Sequence, residues 1–561
     1  MKLNYAYFLL FLLCNPLLAQ QAGPGLIWVN PIQSASDSPD NLGMEVLDLA
    51  VSPEGSTYVV GICTFPCAFA QGVSVVPEAG GQSLFIAKYR YDGLFEWVKD
   101  LGTIGSTPAH IAAPNLDGVY LATSFTTDHV DLGNGISVTR NCTGSGCADG
   151  LVAKFGPSGE AIWAKTIEGD AATYFQIAGI EQNNTGSVAA LVNYNSETID
   201  LGPGLTFNNL SAPGFCLIMM HAETGAFTGC IFPMSSTNEV FSKSLAYNQQ
   251  NVGAVSGTFY DQITFSNGVT LNSTNPNGDQ FIAGLNPFGA VEWVYKVGSN
   301  DYADILAVEV DALGSAYLAI DASQDLLLNN NSILSINTSY AGAVLKLDAN
   351  GFSIPVFIPY NTDDFAVMDV EVDQWGIIYT IGYTSESIQF GNDLVEVDGC
   401  SDALLTQTNA DGLPIGARTI GGGGCEAITN FFYGSCIELD AFGFLYGAGG
   451  FLFNFNEDGF SFNGRGGFVT KINTSIVSVN EPEFAAVDIF PNPSTGFFTV
   501  KLPEIPPSDA LISISNMQGQ EVFRQMANQQ EIGLETSLSA GMYLVTVKDG
   551  KRIYRGKIQI I

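Results

Sequence analysis

The chain has 561 residues, of which 46% are apolar, and its 56 acidic and 20 basic side chains give a formal net charge of −36. This length and apolar content suffice for two or more domains with hydrophobic cores. The charge repels phosphate backbones and anionic membrane surfaces, which argues against nucleic-acid binding. Many Gly and Phe residues with only 14% charged residues indicate strands and turns, and therefore an all-β protein.

The first twenty residues have the features of a secretory signal peptide. Lys2 precedes an apolar run from Tyr5 to Leu13, and Ala19 precedes Gln20. This pattern predicts that residues 1–19 are a signal peptide cleaved after Ala19. The apolar run is too short to span a bilayer and no other stretch approaches that length, so we expect no transmembrane segment.

A motif of sixty-odd residues recurs along the body of the chain, and repetition at a fixed period is typical of repeat folds. One element of this motif, LFIAKYRYDGLFEWVKDLG (84–102), recurs and carries a tryptophan at one fixed position. The tryptophans at that position are Trp28, Trp97, Trp163 and Trp293. The tyrosine segment STYVVGICT (56–64) returns as GVYLATSFT (118–126), SAYLAIDAS (315–323), GIIYTIGYT (376–384) and FGFLYGAGG (442–450).

Glycines at two positions set the register of the repeat. Tight hairpin turns require positive φ, so each unit is predicted to hold four strands as two hairpins. The set before the tyrosine strand is Gly55, Gly118, Gly186, Gly253, Gly314, Gly376 and Gly443. The set in the second hairpin is Gly93, Gly159, Gly225, Gly289, Gly351 and Gly412.

The first glycine set has seven members and the second has six, which indicates a divided unit. The seventh unit ends at GGFVTKIN (466–473) without a last strand, and the mature N-terminus begins with an unmatched strand, GLIWVNPIQ (25–33). Pairing the two would complete the unit and remove exposed edges, as a closed β-propeller does. We therefore predict a seven-bladed β-propeller over residues 25–475. The repeat resembles the tyrosine- and tryptophan-bearing propeller repeats of bacterial exported proteins.

Nine cysteines remain after cleavage, and export permits disulfides. Two pairs are close in loop-like sequence, and two flank a second-hairpin turn, where antiparallel pairing would bring them within reach. The candidate pairs are Cys63–Cys67, Cys142–Cys147, Cys216–Cys230 and Cys400–Cys425. Cys436 is predicted to be a buried free thiol. Because no CxxC…CxxC spacing occurs, we predict no zinc site.

Carboxylates are the only candidates for chemistry, because the chain has three histidines and lacks HExxH, a GxSxG elbow and a P-loop. Side chains three residues before the first glycine set are predicted to cap turns. They are Ser52, Asn115, Asn183, Gln250, Asp311, Asp373 and Asp440. Five residues before that set lie Ala50, Ala113, Glu181, Asn248, Glu309, Glu371 and Glu438.

The set that lies five residues before the glycines falls on the inner strand of each unit. Its four glutamates would therefore surround one mouth of the propeller's central channel. The favoured interpretation is hydrogen bonding between blades. A Ca²⁺ or sugar site is the alternative, and no other cofactor is expected.

The composition changes from residue 487 onward. Residues 487–561 contain seven acidic and seven basic groups, so the remainder of the chain carries the whole net charge of −36. We predict a linker over residues 476–486 and a small β-sandwich over residues 487–561. The expected strands are residues 497–502, 510–515, 521–525, 542–548 and 553–560, joined by turn signals at NMQGQ and KDGK.

The segments IFPNPSTGFFTV, ISISNMQGQEV, LSAGMYLVTVKDGK and KIQII resemble the type A C-terminal sorting domain of the type IX secretion system. The resemblance covers about 75 residues and implies an Ig-like fold, recognition by that machinery and removal near the linker. It implies release of the protein or its attachment to the cell surface. The residues it singles out are Pro491, Asn492, Pro493, Gly496, Gly519, Gly541, Tyr543 and Lys551.

These observations predict an exported protein, secreted or on the cell surface of a Gram-negative bacterium, that binds a glycan, matrix or protein ligand without catalysis. The alternative is a carbohydrate-active lyase or hydrolase that uses channel-mouth carboxylates. Two buried carboxyls facing one cleft, with aromatic platforms beside them, would favour the enzyme. A mouth lined by small and amide residues would favour binding.

Overall fold

The computed structural model describes most of the chain between residues 25 and 560, and every regular element in that part is a β-strand. The chain divides into two compact units, Gly23–Ile476 and Val477–Ile561. The predicted signal peptide lies outside the described residues. The segments not described are residues 1–24, 37–42, 106–107, 145, 171–173, 184–185, 209, 211–212, 237, 274, 300, 324, 329–332, 335–340, 358–364, 392, 398–400, 422–433, 475–484, 487, 503–510, 517–520, 528, 537, 540, 549–552 and 561.

The described strands of the first unit fall into seven repeats of four antiparallel strands, each repeat built from two hairpins. The first three repeats contain Met44–Val51, Thr57–Cys63, Ser83–Tyr89 and Phe95–Asp100; Ala109–Ala112, Val119–Phe125, Asp149–Phe155 and Ala161–Gly169; and Phe175–Gln182, Ser187–Tyr194, Gly214–His221 and Phe227–Ile231. Repeats 4 to 6 contain Val240–Tyr247, Gly253–Phe259, Asp279–Leu285 and Val291–Ser299; Ala303–Val310, Ala316–Ala322, Ala341–Leu347 and Ser353–Phe357; and Phe365–Val372, Ile378–Thr384, Asp402–Thr408 and Pro414–Ile420. Repeat 7 contains Gly434–Leu439, Leu445–Glu457, Phe460–Asn473 and Gly25–Ser34.

Repeat 7 takes its fourth strand from the beginning of the chain, as the sequence predicted. Gly25–Ser34 runs antiparallel to Phe460–Asn473, and Trp28 lies opposite Lys471. The hydroxyl of Thr470 adds a hydrogen bond of 2.8 Å to the carbonyl oxygen of Trp28. The first strands of successive repeats pack side by side, and that of repeat 7 packs against that of repeat 1, so the repeats form a closed ring.

Most first strands carry a β-bulge at the same point. The register shifts beside Leu47, Ala178, Lys243, Leu306, Met368 and Ser435 in repeats 1, 3, 4, 5, 6 and 7. The described pairs of the shorter first strand of repeat 2 keep one register. A bulge redirects the side chains that follow it, and here it sets which residues face the axis of the ring.

Small hairpins between the second and third strands protect the outer edges of the sheets. In three places such a hairpin pairs with the fourth strand of the preceding repeat. The paired residues are Gln33 with Ala68, Gly169 with Ile199, and Val297 with Leu328. An unpaired edge strand invites pairing with other chains, and these hairpins cover it. Their strands and the remaining short ones are Cys67–Ala70, Val73–Val75, His129–Gly133, Ile136–Thr139, Thr198–Asp200, Thr206–Asn208, Met234–Ser236, Gln262–Phe265, Thr270–Asn272, Leu326–Leu328, Ile333–Leu334, Ile388–Phe390 and Asp393–Val395.

The repeated tryptophan joins repeats 7, 1, 2 and 4 to the repeat that follows each of them. The indole N–H of Trp28, Trp97 and Trp163 donates to the carbonyl oxygen of Tyr91, Pro157 and Ala222, at 3.2, 2.9 and 3.2 Å. Each acceptor lies in the second-hairpin turn of the next repeat, and the ring packs on that turn's glycine. A Cβ on Gly225 would lie 2.6 Å from the Trp163 ring. The second-hairpin glycines therefore provide close approach as well as positive φ.

The repeated tyrosine is explained by the turn that precedes it. In repeats 5, 6 and 7 the tyrosine hydroxyl donates to Oδ2 of the turn aspartate, at 3.1 Å for Tyr317 and 3.0 Å for Tyr446. The other oxygen, Oδ1, accepts backbone N–H groups of the turn, as in Asp311 with Ser315 at 2.8 Å. The predicted turn-capping role is therefore present, and it includes a bond to the tyrosine.

Repeat 4 departs from the predicted register. Asn251, with φ of 62°, occupies the turn position that Gly314 occupies in repeat 5, so Gly253 is not the turn glycine. Asn248 rather than Gln250 caps this turn, because its Oδ1 accepts the N–H of Val252 at 3.0 Å. Asn tolerates the left-handed conformation, so the glycine count alone misplaced this turn by two residues.

The second unit consists of two sheets that share one hydrophobic core. Core side chains such as Val500 and Leu534 come from one sheet, and Ile514 and Val545 from the other. The five predicted strands are present, and three strands of two to five residues were missed, namely Ala485–Ala486, Asp488–Phe490 and Glu531–Glu535. One sheet contains the strands Ala485–Ala486, Ile553–Ile560, Gly541–Lys548, Leu511–Asn516 and Glu521–Met526. The other sheet contains Asp488–Phe490, Phe497–Lys501 and Glu531–Glu535.

Replacing Gly225 by Ala should destabilise the first unit more than replacing Gly204 by Ala. Both glycines have positive φ, but a Cβ at Gly204 meets nothing within 4 Å, whereas one at Gly225 strikes the Trp163 ring. We expect Gly225→Ala to cost about 1–3 kcal/mol more than Gly204→Ala, measured by urea unfolding. Equal losses would show that the Trp163 contact does not hold neighbouring repeats together.

Candidate functional site

A polar cavity of about 290 Å³ lies where the first strands of all seven repeats meet. All four glutamates singled out from the sequence line it, together with two aspartates that were not. The other titratable groups in its wall are His110, Lys243, Tyr247 and Cys436. The six carboxyl groups belong to Glu181, Glu309, Glu371, Glu438, Asp48 and Asp369.

The glutamates occupy one position of the repeat. Glu309, Glu371 and Glu438 lie opposite the repeated tyrosines Tyr317, Tyr379 and Tyr446. In the remaining repeats the same position holds Glu181 and the alanines Ala50, Ala112 and Ala246. The predicted members Ala113 and Asn248 are therefore wrong by one and two residues, because Gly118 and Gly253 lie one and two residues later in their repeats than the turn glycines of the other repeats.

Hydrogen bonds between neighbouring first strands come from the residue that follows the bulge. Asp48 accepts the N–H of Ile111 at 2.9 Å, and Asp369 accepts that of Ile437 at 2.9 Å. Ser244 accepts the N–H of Val308 at 3.2 Å in the same way. These three side chain–backbone bonds between first strands thus use this position, whereas the sequence had assigned that role to the glutamates two residues further on. The glutamates face the cavity instead.

Burial raises the pKa of every glutamate in the cavity, and the neighbouring carboxylates raise it further. The pKa of Glu309 rises to about 8 and that of Asp369 to about 7. The side chains are only partly exposed, because they open onto the cavity and not onto bulk water. Near neutral pH the cavity therefore holds carboxyl groups that exchange protons.

Basic groups do little to balance these carboxyls. The ammonium group of Lys243 pairs with the Asp304 carboxylate. His110 Nδ1 lies 3.5 Å from Asp48. Among the described residues, no group of three or more His, Cys, Asp or Glu side chains is arranged to hold a metal ion. The Ca²⁺ alternative stays a prediction, and the geometry provides acceptors for an organic cation or for hydroxyl groups.

The cysteines in the described part of the chain divide into one disulfide and five thiols. Cys142 and Cys147 form a disulfide with a Cα–Cα distance of 6.0 Å. Cys63 and Cys67 are buried thiols, and Cys436 is a buried thiol as predicted. The predicted Cys216–Cys230 bridge is not formed: Cys230 lies opposite Ile218, two residues from the position that faces Cys216. Cys400 and Cys425 lie outside the described residues.

The leading motif of the second unit meets the last strand. The side-chain oxygen of Asn492 accepts the N–H of Gln559 at 3.0 Å, and the N–H of Ser494 donates to the Gln559 carbonyl oxygen at 2.8 Å. Gly496 has φ of 110°, and a Cβ there would lie 2.6 Å from the Thr536 carbonyl oxygen. Pro491 and Pro493 therefore open a loop that is tied to the end of the chain.

Two further predicted sorting residues lie in or beside the terminal hairpin. Tyr543 is buried, and its hydroxyl donates to the carbonyl oxygen of Ser539 at 2.8 Å. Gly541 pairs with Ile560 on the last strand. Gly519 and Lys551 lie outside the described residues.

Residues 488–561 match the family described as the secretion system C-terminal sorting domain. The chain therefore carries a type IX secretion sorting signal at its C-terminal end. Within the described residues, none of the elements is a helix that could cross a membrane.

Similarity to characterised proteins is otherwise short or distant. The ulvan lyase NLR42 of Nonlabens ulvanivorans is 28% identical over 91 residues, which are 16% of this chain and 17% of that protein. A structure of a PL25 ulvan lyase bound to -[GlcA(1-4)Rha3S]- aligns over 80% of this chain and 96% of its own, with 11% identity and a TM-score of 0.39. PorZ, a surface component of the type IX secretion system of Porphyromonas gingivalis, aligns over 92% and 81% of the two chains, with 11% identity and a TM-score of 0.19.

Replacing Glu309 by Gln should flatten the pH dependence of stability. The folded protein binds the Glu309 proton more tightly than the unfolded chain does, because its pKa is raised to about 8. The resulting stabilisation is complete below the ordinary carboxyl pKa and is lost as the pH rises through about 8. We expect the free energy of unfolding of Glu309→Gln to exceed that of the wild type by on the order of 1–3 kcal/mol near pH 9 and to equal it near pH 4.5.

The measurement is urea unfolding at several pH values. The control is Glu292→Gln, since Glu292 is exposed on a fourth strand far from the cavity wall. The same pH dependence in the Glu309→Gln variant and the wild type would contradict the assignment.

Proposed function

We propose that the protein is a type IX secretion cargo whose first unit, residues 25–475, is a seven-bladed β-propeller that binds an extracellular ligand at the carboxyl-lined cavity. Residues 1–19 are its export signal, 476–486 its linker, and 487–561 an Ig-like sorting domain that is removed near the linker. The closed order of the first strands and the N-terminal strand of repeat 7 support the propeller. The match of residues 488–561 to sorting domains supports export.

Sorting should depend on the last strand and on the loop tied to it. Fusing residues 477–561 to an unrelated periplasmic protein should carry that protein across the outer membrane in a host with the type IX system. Deleting residues 548–561 from the native chain should leave it in the periplasm, because the last strand and the partner of Asn492 are lost. Immunoblots of periplasm, surface and medium would measure this.

A point variant tests the same signal with less disturbance. Gly496→Ala introduces a Cβ 2.6 Å from the Thr536 carbonyl oxygen, whereas Gly533→Ala meets nothing within 4 Å. Only Gly496→Ala should reduce surface or medium protein, by about tenfold or more. Wild-type export of both Gly496→Ala and the truncated chain would reject the sorting role.

The observation that supports ligand binding is a central cavity in which six carboxyl groups face two basic side chains, one of them already paired with Asp304. A buried carboxylate requires a charge partner, and the four glutamates and Asp369, whose pKa is raised, retain protons instead. A ligand that supplies hydroxyl groups or a cationic group would take the place of those protons.

The second candidate is a carbohydrate-active enzyme. Several buried carboxyls in one cleft, with the Tyr247 ring in the same wall, are the arrangement expected for acid–base chemistry on sugars. The 91-residue similarity to an ulvan lyase points the same way. An anionic polysaccharide would meet repulsion from a cavity of carboxyls and a net charge of −36, so a neutral glycan is the favoured substrate.

A glycan array and a depolymerisation assay with neutral polysaccharides, run on the purified protein and the variant Glu371→Gln, distinguish the two candidates. Ligand binding predicts a signal that weakens at least tenfold in Glu371→Gln with no release of sugar. Catalysis predicts hydrolysis with new reducing ends, which disappear in Glu371→Gln and persist in Glu292→Gln. Binding or cleavage equal in all three proteins would place the site elsewhere.

A further inference from the structure

Large apolar side chains are exposed mainly on one face of the ring. Among the described residues of the first unit, eleven have more than half of their surface exposed, and nine of these lie in or next to turns that join strands 1 and 2 or strands 3 and 4 of a repeat. We call these turns the turn face. The nine are Tyr91, Leu94, Leu116, Phe288, Leu313, Phe352, Trp375, Leu413 and Phe442.

Both kinds of turn lie at the same end of a repeat. Strands 1 and 3 of a four-stranded antiparallel sheet run in the same direction, so each ends at the same edge. The hairpins between strands 2 and 3 lie at the opposite edge. Among the residues of these hairpins that the structure describes, only Val76 and Leu394, each 60% exposed, are comparably exposed. The concentration of exposed apolar side chains is therefore a property of one face.

The turn face surrounds the cavity on the side of repeats 5, 6 and 7. In each of these repeats a glutamate of the cavity is followed two residues later by the turn aspartate and four residues later by an exposed apolar residue. The three stretches are Glu309-Val-Asp-Ala-Leu313, Glu371-Val-Asp-Gln-Trp375 and Glu438-Leu-Asp-Ala-Phe442. Acidic and apolar groups thus alternate over a short distance along three neighbouring strands.

The turns themselves do not require these apolar side chains. Asp373 accepts the backbone N–H groups of Trp375 and Ile377, at 2.9 Å each, and Gly376 supplies the positive φ. These bonds hold whatever side chain stands at position 375. Trp375 and Phe442 are 69% and 71% exposed, and such groups on one face mark an interaction site.

We propose that the turn face docks a polypeptide segment of a partner protein, in which apolar side chains contact Trp375 and Phe442 and a Lys or Arg enters the carboxyl-lined cavity. This inference rests on the proposed ligand-binding role of the cavity and names the ligand class. Four of the nine exposed residues are leucines, which pack against apolar side chains rather than sugar rings. The six cavity carboxyls complement a basic group, and the net charge of −36 opposes an anionic lipid surface.

Selection of random twelve-residue peptides displayed on phage, against the full exported chain, tests the proposal. The selected peptides should combine Lys or Arg with Leu, Phe or Trp, and their affinity should be measured by fluorescence anisotropy. The double variant Trp375→Ser/Phe442→Ser should weaken binding at least tenfold. The matched control Val76→Ser/Leu394→Ser removes equally exposed side chains from the opposite edge and should bind as the wild type does.

The cavity is tested with a second pair of reagents. Replacing the basic residue of a selected peptide by Gln should weaken binding to the wild type several-fold, and much less to Glu371→Gln/Glu438→Gln. No selected peptide, or equal binding by the Trp375→Ser/Phe442→Ser variant, would overturn the proposal. If the glycan array then still shows binding that depends on Glu371, the proposed function stands and only the ligand class fails. If neither ligand depends on these residues, both fail.

Discussion

The antiparallel pairing of Gly25–Ser34 with Phe460–Asn473 is the interaction that closes the ring. Each four-stranded repeat has two apolar faces and cannot bury them alone, so every repeat depends on a neighbour on each side. Joining the first strand of the chain to the last repeat gives repeats 1 and 7 a neighbour on each side, as every other repeat has. The tryptophan that packs on the next repeat's glycine makes the same contact at several boundaries, including this one through Trp28 and Gly93.

Closing the ring has an electrostatic consequence at its centre. The seven first strands converge there, and a residue type that repeats along the chain becomes a cluster in space. Four glutamates, each more than sixty residues from the next along the chain, share one cavity, where burial and mutual repulsion raise their pKa. Asp369 avoids this only in part, because the backbone N–H groups of Val370 and Ile437 hydrogen-bond to its carboxyl group. Such a cavity is stable with protons or a ligand in place and unfavourable when fully ionised.

The two units divide two tasks between them. The second unit carries the sorting signal. It has a hydrophobic core of its own, and its acidic and basic groups balance, whereas the first unit is strongly acidic. The bond between Asn492 and Gln559 joins the two ends of the sorting sequence into one surface. In the first unit the turn face and the cavity combine exposed apolar groups with carboxyls, and the proposed recognition of a ligand rests on this combination.

Much of this could be predicted from the sequence, because strand period, turn glycines and the tyrosine and tryptophan positions are local signals that recur. They determined the repeat, the pairing of residues 25–33 with 466–473, the sorting domain and the four cavity glutamates. Tertiary structure alone decided the rest. In repeat 2 the turn glycine Gly118 lies one residue later than in the other repeats, and in repeat 4 Asn251 takes the glycine's place in the left-handed conformation, so Ala112 and Ala246 replace the expected Ala113 and Asn248. Whether Asp48 is hydrogen-bonded and whether Leu313 is exposed depend on residues that are distant in sequence. Those residues come close to one another only when the ring closes.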